Sequence, residues 1–345
     1  MRRILLFVYL LLAAFTATNA RAALHGSWHA SEASDHSIQL SLVREHSTFG
    51  HTFELSSFTG LGADQLHAGG DKPVKFSLAR DAGTIVLEGM FGDGEGGGRF
   101  TFTANPGYTN ELRSLNVAWS DDMDDERLLM LTSLDVSKQF IRDMQSLGYR
   151  TSLEDYTRFR IHGASPEYVR EMQTLGYRDL SSEDLVRFRI HGVHADYVRS
   201  LNEYGYHPSA EDIVRFRIHG VSAELVKTLT SLGYKNISGE DLVRFKIHGV
   251  SSEYVRDLKE LGYTPNAEDF VNMRIHGVSI EYIRDLKALG YKPSTEDLVR
   301  MRIHGVSIDF IRSIKDAGYS GVPVDKLIEM RIHGLDARYL KAMNP

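Results

Sequence analysis

Seven histidines are the residues of this chain best placed by type and spacing to do chemistry: His162, His191, His219, His248, His276, His304 and His333. Each stands before a glycine, and two residues behind each is a base: Arg160, Arg189, Arg217, Lys246, Arg274, Arg302 and Arg331. A row of imidazoles suits metal ligation, proton transfer or, at a helix end, hydrogen bonding to free carbonyls. Zinc needs a tetrahedral ligand set. Stacked helices about 8–10 Å apart bring at most two such histidines to one ion, and the repeat offers no obvious third or fourth ligand. RIHG reads more simply as a helix C-terminus, with histidine favoured by the helix dipole and glycine supplying the left-handed conformation. No metal or cofactor is expected.

The bases are less easily placed. On a helical wheel they fall inside the apolar arc, between Leu185 and Val186 in the second copy. An unpaired charge there is costly. Two alternatives follow: an inter-repeat salt-bridge ladder to recurring acids such as Glu183 and Glu211, or an exposed ligand-binding stripe. The candidate binding row is therefore Arg160, His162, Arg189, His191, Arg217, His219, Lys246, His248, Arg274, His276, Arg302 and His304. A second basic row, Arg158, Arg187, Arg215, Arg244 and Arg300, lies four residues after a first-turn glutamate and reads as i, i+4 pairs on a solvated face. No Ser-His-Asp order, paired catalytic carboxylates or H-E-x-x-H occurs, so the chain is not expected to be an enzyme.

The elements that carry these residues repeat. The histidine-glycine landmark recurs at steps of 28 or 29 residues, and a glycine-tyrosine landmark from Tyr149 to Tyr319 keeps the same step. Such a period marks a solenoid. Each unit holds two helices of about ten residues, too short to stand alone. In SAEDIVRFRIHG, Ser209 is the N-cap, Asp212 completes a capping box and Gly220 closes the helix; Ser222 opens the other helix and Gly233 ends it. Leu185, Val186, Phe188 and Ile190 form one core-facing arc, and Tyr197, Val198, Leu201 and Tyr204 the next.

Residues 23–107 differ in kind. Alternation in SIQLSLV, HTFELSSF, VKFSLAR, TIVLEGMF and RFTFTA reads as five antiparallel strands, with GSW a possible sixth, in a sandwich or barrel. GDGEGGGRF lacks the phosphate-loop spacing and reads as a mobile hairpin tip. Six histidines (His25, His29, His36, His46, His51 and His67) crowd this head and are taken as surface residues. The fold class is thus α+β in two domains: a small antiparallel β domain at 23–107, a degenerate cap repeat at 108–135, and an α-solenoid of seven helical-hairpin repeats at 136–345.

Residues 1–22, with Arg2 and Arg3, an apolar run from Ile4 to Phe15 and Ala20-Arg21-Ala22, read as a secretory signal, the alternative being an uncleaved anchor. No later segment is apolar enough to span a bilayer. The chain has no cysteine, so an exported form has no disulfides. A formal net charge of -6, without a basic block, speaks against a nucleic-acid partner.

The phrase VKFSLARDAGTIVLEGMFGDGEGGGRFTFTANPGY, followed by IHGVSAEYVRxLxxLGY-type repeats, resembles an extracytoplasmic region found in bacteria, in some proteins attached to BlaR-type membrane metallopeptidases. The resemblance covers nearly the whole mature chain. It implies sensing or protein interaction at the cell envelope, in the periplasm or outside the cell. The peptidase part is absent. A protein or peptide partner is the leading expectation, and a signalling accessory that senses a cell-wall fragment or small ligand through the head is the alternative.

Overall fold

A computed structural model describes residues 23–45, 47–235 and 237–343. The export signal expected over residues 1–22, and His46, lie outside them. The chain divides into two compact units, one ending at Ile161 and the other beginning at His162. Among the described residues, no helix is long and apolar enough to cross a membrane.

The first unit is built on β1 (Leu24–Ser34), β2 (Ser37–Val43), β3 (Thr48–Glu54), β4 (Lys72–Arg80), β5 (Gly83–Gly92) and β6 (Glu95–Ala104). All pairings are antiparallel, in the order β3-β2-β1-β6-β5-β4. Alternation buries Ile38, Leu40 and Leu42 of β2, Val74, Phe76 and Leu78 of β4, and Ile85 and Leu87 of β5. Trp28, Phe53, Phe58 and Phe76 meet edge to face or tilted at 5.3–5.6 Å.

Two expectations change here. The segment read as a possible sixth strand is the longest, and it pairs with both β2 and β6. LHGSWHASEAS has few β-formers, so its strand state comes from its neighbours. The glycine run is no loop tip either: only Asp93 and Gly94, both at positive φ, make the turn, and Gly96, Gly97 and Gly98 lie within β6. A Cβ on Gly96 would sit 2.2 Å from the Phe91 ring, and one on Gly98 would sit 2.1 Å from the Glu88 carbonyl oxygen. Gly96 and Gly98 are therefore a packing requirement.

The strands form one sheet, where a sandwich or barrel was expected. The helix Asp125–Leu134 packs against β3, β5 and β6 and buries Leu128, Leu129 and Leu131. It ends in Asp135 at φ 55, the left-handed conformation that glycine takes in the repeats. Arg80 of β4 donates to the Thr132 and Ser133 carbonyls at its C-terminus.

The second unit alternates two helix types. One carries RIHG or a variant, as in Ala210–His219 and Ala267–Ile275, and is termed type A. The other, as in Ala223–Ser231 and Ser252–Glu260, is termed type B. Type A helices stack on type A, and type B on type B, from one repeat to the next. Phe188, Phe216, Phe245 and Phe270 form the buried centre of the A stack. Ser181, Ser209, Ser238 and Ser294 accept the N–H of the aspartate three residues on and donate their hydroxyl to its carboxylate. That reciprocal pair replaces the expected capping box, which is formed in full by Asn266 and Asp269.

Candidate functional site

The end of each A helix is where its neighbours converge. Val193, Val221, Val250, Val278 and Val306 return their N–H to the carbonyl of the residue five positions back, 2.8–2.9 Å away, closing the helix around the left-handed glycine. The carbonyls left over are met by the next repeat: Arg189 Nε donates to His162 O at 3.2 Å, and Arg217 Nε to His191 O at 3.4 Å. In the first unit Arg160 does the same to Leu134 O at 2.6 Å and pairs with Asp135 at 3.1 Å.

Each arginine also lies on an aromatic ring of a B helix. Arg189 sits 4.7 Å from the centre of the Tyr168 ring, Arg217 4.9 Å from Tyr197, Arg274 4.9 Å from Tyr254, and Arg302 5.1 Å from Tyr282. The tyrosine hydroxyls donate onward to Val193, Val221, Val278 and Val306 at 2.6–2.9 Å. Burial pushes the Tyr197 and Tyr282 hydroxyls up to about 12, against a smaller downward pull from Arg217 and Arg302, so both remain neutral donors at neutral pH. The glycine leaves room for the guanidinium as well: a Cβ on Gly249 would lie 3.1 Å from Arg274 Nη2.

This arrangement corrects the ladder expectation. Arg189 and Arg217 meet backbone and aromatic rings, and inter-repeat ion pairs are made by the other basic row, Arg187–Glu211 at 2.9 Å, Arg244–Glu268 at 3.0 Å and Arg300–Asp325 at 3.0 Å, and between B helices, Arg256–Glu224 at 3.3 Å and Arg284–Asp257 at 3.4 Å. Within a helix the same arginines pair with the aspartate three residues earlier, as in Asp241–Arg244 at 3.4 Å, instead of with the glutamate four back. The seven histidines stand at the helix ends, as RIHG implies: His162 and His219 are the last helical residues, His191, His248, His276, His304 and His333 are C-cap residues, and each is followed by a left-handed glycine. The carbonyls of His162 and His191 are met by arginine, and His219, His276, His304 and His333 are exposed.

The fourth repeat departs from the pattern in two places at once. Leu225 stands where the other repeats have tyrosine or phenylalanine, and the base that reaches its position is Lys246. Guanidinium stacks flat on a ring and ammonium does not, so the two substitutions belong together. Leu225→Tyr and Lys246→Arg combined are expected to show a favourable coupling of about 0.5–1 kcal/mol in a double-mutant cycle followed by urea denaturation. Strict additivity of the two changes would contradict the stacking.

Between base and histidine stands a residue that the sequence pattern assigned to the core. Ile190, Ile218, Ile247, Ile275, Ile303 and Ile332 are 52–58% exposed, and Ile161 of the first unit is 51% exposed. At 100° per residue the position sits on the border of the apolar arc, and only the direction of the next helix decides its side. In the second unit these segments adjoin one another, because Arg217, Arg274, Arg302 and Arg331 each reach to within 3.1–3.4 Å of the Cβ position on the preceding repeat's glycine. The candidate bases and histidines thus flank a row of uncovered isoleucines.

Two further features had no sequence signal. Glu32 and Asp35, and His67 from more than thirty residues on, bring ligand atoms within 4.8 Å of one another on the exposed surface of the head. A cleft of about 600 Å³ in the second unit is lined by Tyr204, Tyr206, His207, Asp212, Tyr234 and Lys235. Comparison with protein-family models and with curated proteins gives no match for this chain.

Proposed function

We propose that this chain is an exported, non-catalytic scaffold that binds a protein or peptide of the bacterial cell envelope along the isoleucine row. One observation carries the reading. Single exposed apolar residues are ordinary on a protein surface, but here the same uncovered position is isoleucine in every repeat, each between a base and a histidine. Aligned apolar side chains with polar flanks are the makings of an interaction surface. The repeat architecture, which presents one such element per unit, and the resemblance to an extracytoplasmic sensing region both support it.

The test is a triple substitution, Ile218→Ser, Ile247→Ser and Ile275→Ser. Each replaces an exposed side chain, so each is expected to change stability by no more than about 0.5 kcal/mol. Cross-linking of wild type in envelope extracts should yield adducts that the triple variant lacks. Identical adducts from both proteins would overturn the reading. A second reading, a sensor that takes a cell-wall fragment or small ligand through the head, draws on a cleft of about 520 Å³ at the edge of the head, where Phe49 of β3 faces Asp121, Asp122, Asp124, Arg127 and Met130 of the cap segment. Adducts that persist in the triple variant and disappear with Met130→Asp would favour it.

A further inference from the structure

We infer that the occupant of the isoleucine row is an extended, acidic peptide segment in polyproline-II conformation, with an apolar side chain at every third position. This rests on the binding reading above and specifies the partner's chemistry. The first argument is spacing. Neighbouring stacked helices lie about 8–10 Å apart, and each A helix contributes one exposed isoleucine. A polyproline-II helix rises about 3.1 Å per residue with three residues per turn, so one of its faces recurs every ~9.3 Å, in step with the row. A β-strand repeats a face every ~6.7 Å and falls out of step.

The second argument is width. An amphipathic α-helix needs an apolar stripe of ~100° filled at several positions per two turns. The row offers one isoleucine per repeat, bounded by charge, which matches a single edge of a narrow ligand. Charge supplies the third argument. Each step of the row carries a cation, from Arg189 to Arg331, in a chain whose formal net charge is -6. The guanidiniums of Arg189, Arg217, Arg274, Arg302 and Arg331 are held against aromatic rings, those of Arg189 and Arg217 by a backbone carbonyl as well, so presenting them to a carboxylate requires little further ordering. Spanning the six isoleucines of the second unit takes about sixteen residues of such a segment.

The experiment uses the full chain and three fluorescent synthetic peptides of equal length: six Pro-Glu-Val triplets, six Pro-Lys-Val triplets, and an acidic amphipathic α-helix. The Pro-Glu-Val peptide should bind, lose affinity as salt rises, and bind about tenfold or more weakly to the Ile218→Ser, Ile247→Ser, Ile275→Ser variant. Equal or tighter binding of the Pro-Lys-Val peptide would overturn the acidic assignment. If the helical peptide binds best and is the one lost in the variant, the extended partner is wrong while the row stands as a binding surface. If the variant changes the binding of none of the three, the extended partner and the row fall together.

Discussion

Phe270→Ala is expected to destabilise the second unit by about 3–5 kcal/mol. Phe270 is fully buried, and its ring meets those of Tyr234 at 5.4 Å and Phe245 at 5.5 Å, so it joins two repeats in the A stack. Alanine removes the ring and leaves a cavity that two stacked helices cannot close without losing their other contacts. Because each repeat is held mainly by its neighbours, the loss should also split unfolding. Urea denaturation followed at 222 nm should show a lower first midpoint and a broader or two-step transition. Ile275→Ala, in the same helix but 52% exposed, serves as the control and should stay within about 0.5 kcal/mol of wild type. Equal losses from the two variants would mean that Phe270 does not join the repeats as described.

Gly98→Val is expected to cost about 4 kcal/mol or more and to act on the sheet. Gly98 pairs with Gly89 of β5 on one side and with Trp28 of β1 on the other. An added Cβ would fall 2.1 Å from the Glu88 carbonyl oxygen and 2.6 Å from Gly89 Cα, contacts with backbone that no rotamer change relieves. That same carbonyl accepts the indole N–H of Trp28 at 3.1 Å, so the variant should also disturb the environment of the tryptophan. A changed near-ultraviolet signal with most of the helical signal kept would show the damage confined to the sheet. Unaltered melting and tryptophan spectra would show instead that β5 and β6 have room to separate.

The sequence by itself determined what is local or periodic. Serine three residues before an aspartate and glycine after histidine set the limits of the helices, because capping and left-handed backbone depend on the residue at the spot. The period determined the pairing of helices into repeats, since two short helices hold only by stacking on copies of themselves. The alternating strands β2, β4 and β5 were legible for the same reason: period two leaves one face to bury.

Tertiary structure alone decided the rest. β1 is a strand because β2 and β6 flank it, a fact absent from LHGSWHASEAS. Gly96 and Gly98 look like part of a flexible tip until the Phe91 ring and the β5 backbone are placed against them. The base of each repeat falls in the apolar arc of its own helix, and the partners of Arg189 and Arg217, a carbonyl one repeat back and a tyrosine of the helix between, become visible only once repeats are stacked. The isoleucine beside it lies on the border of that arc, where a helical wheel cannot choose between core and solvent. The neighbouring helix covers Phe188 and leaves Ile190 bare, and that choice turns a repeat that reads as packing into a row open to a partner.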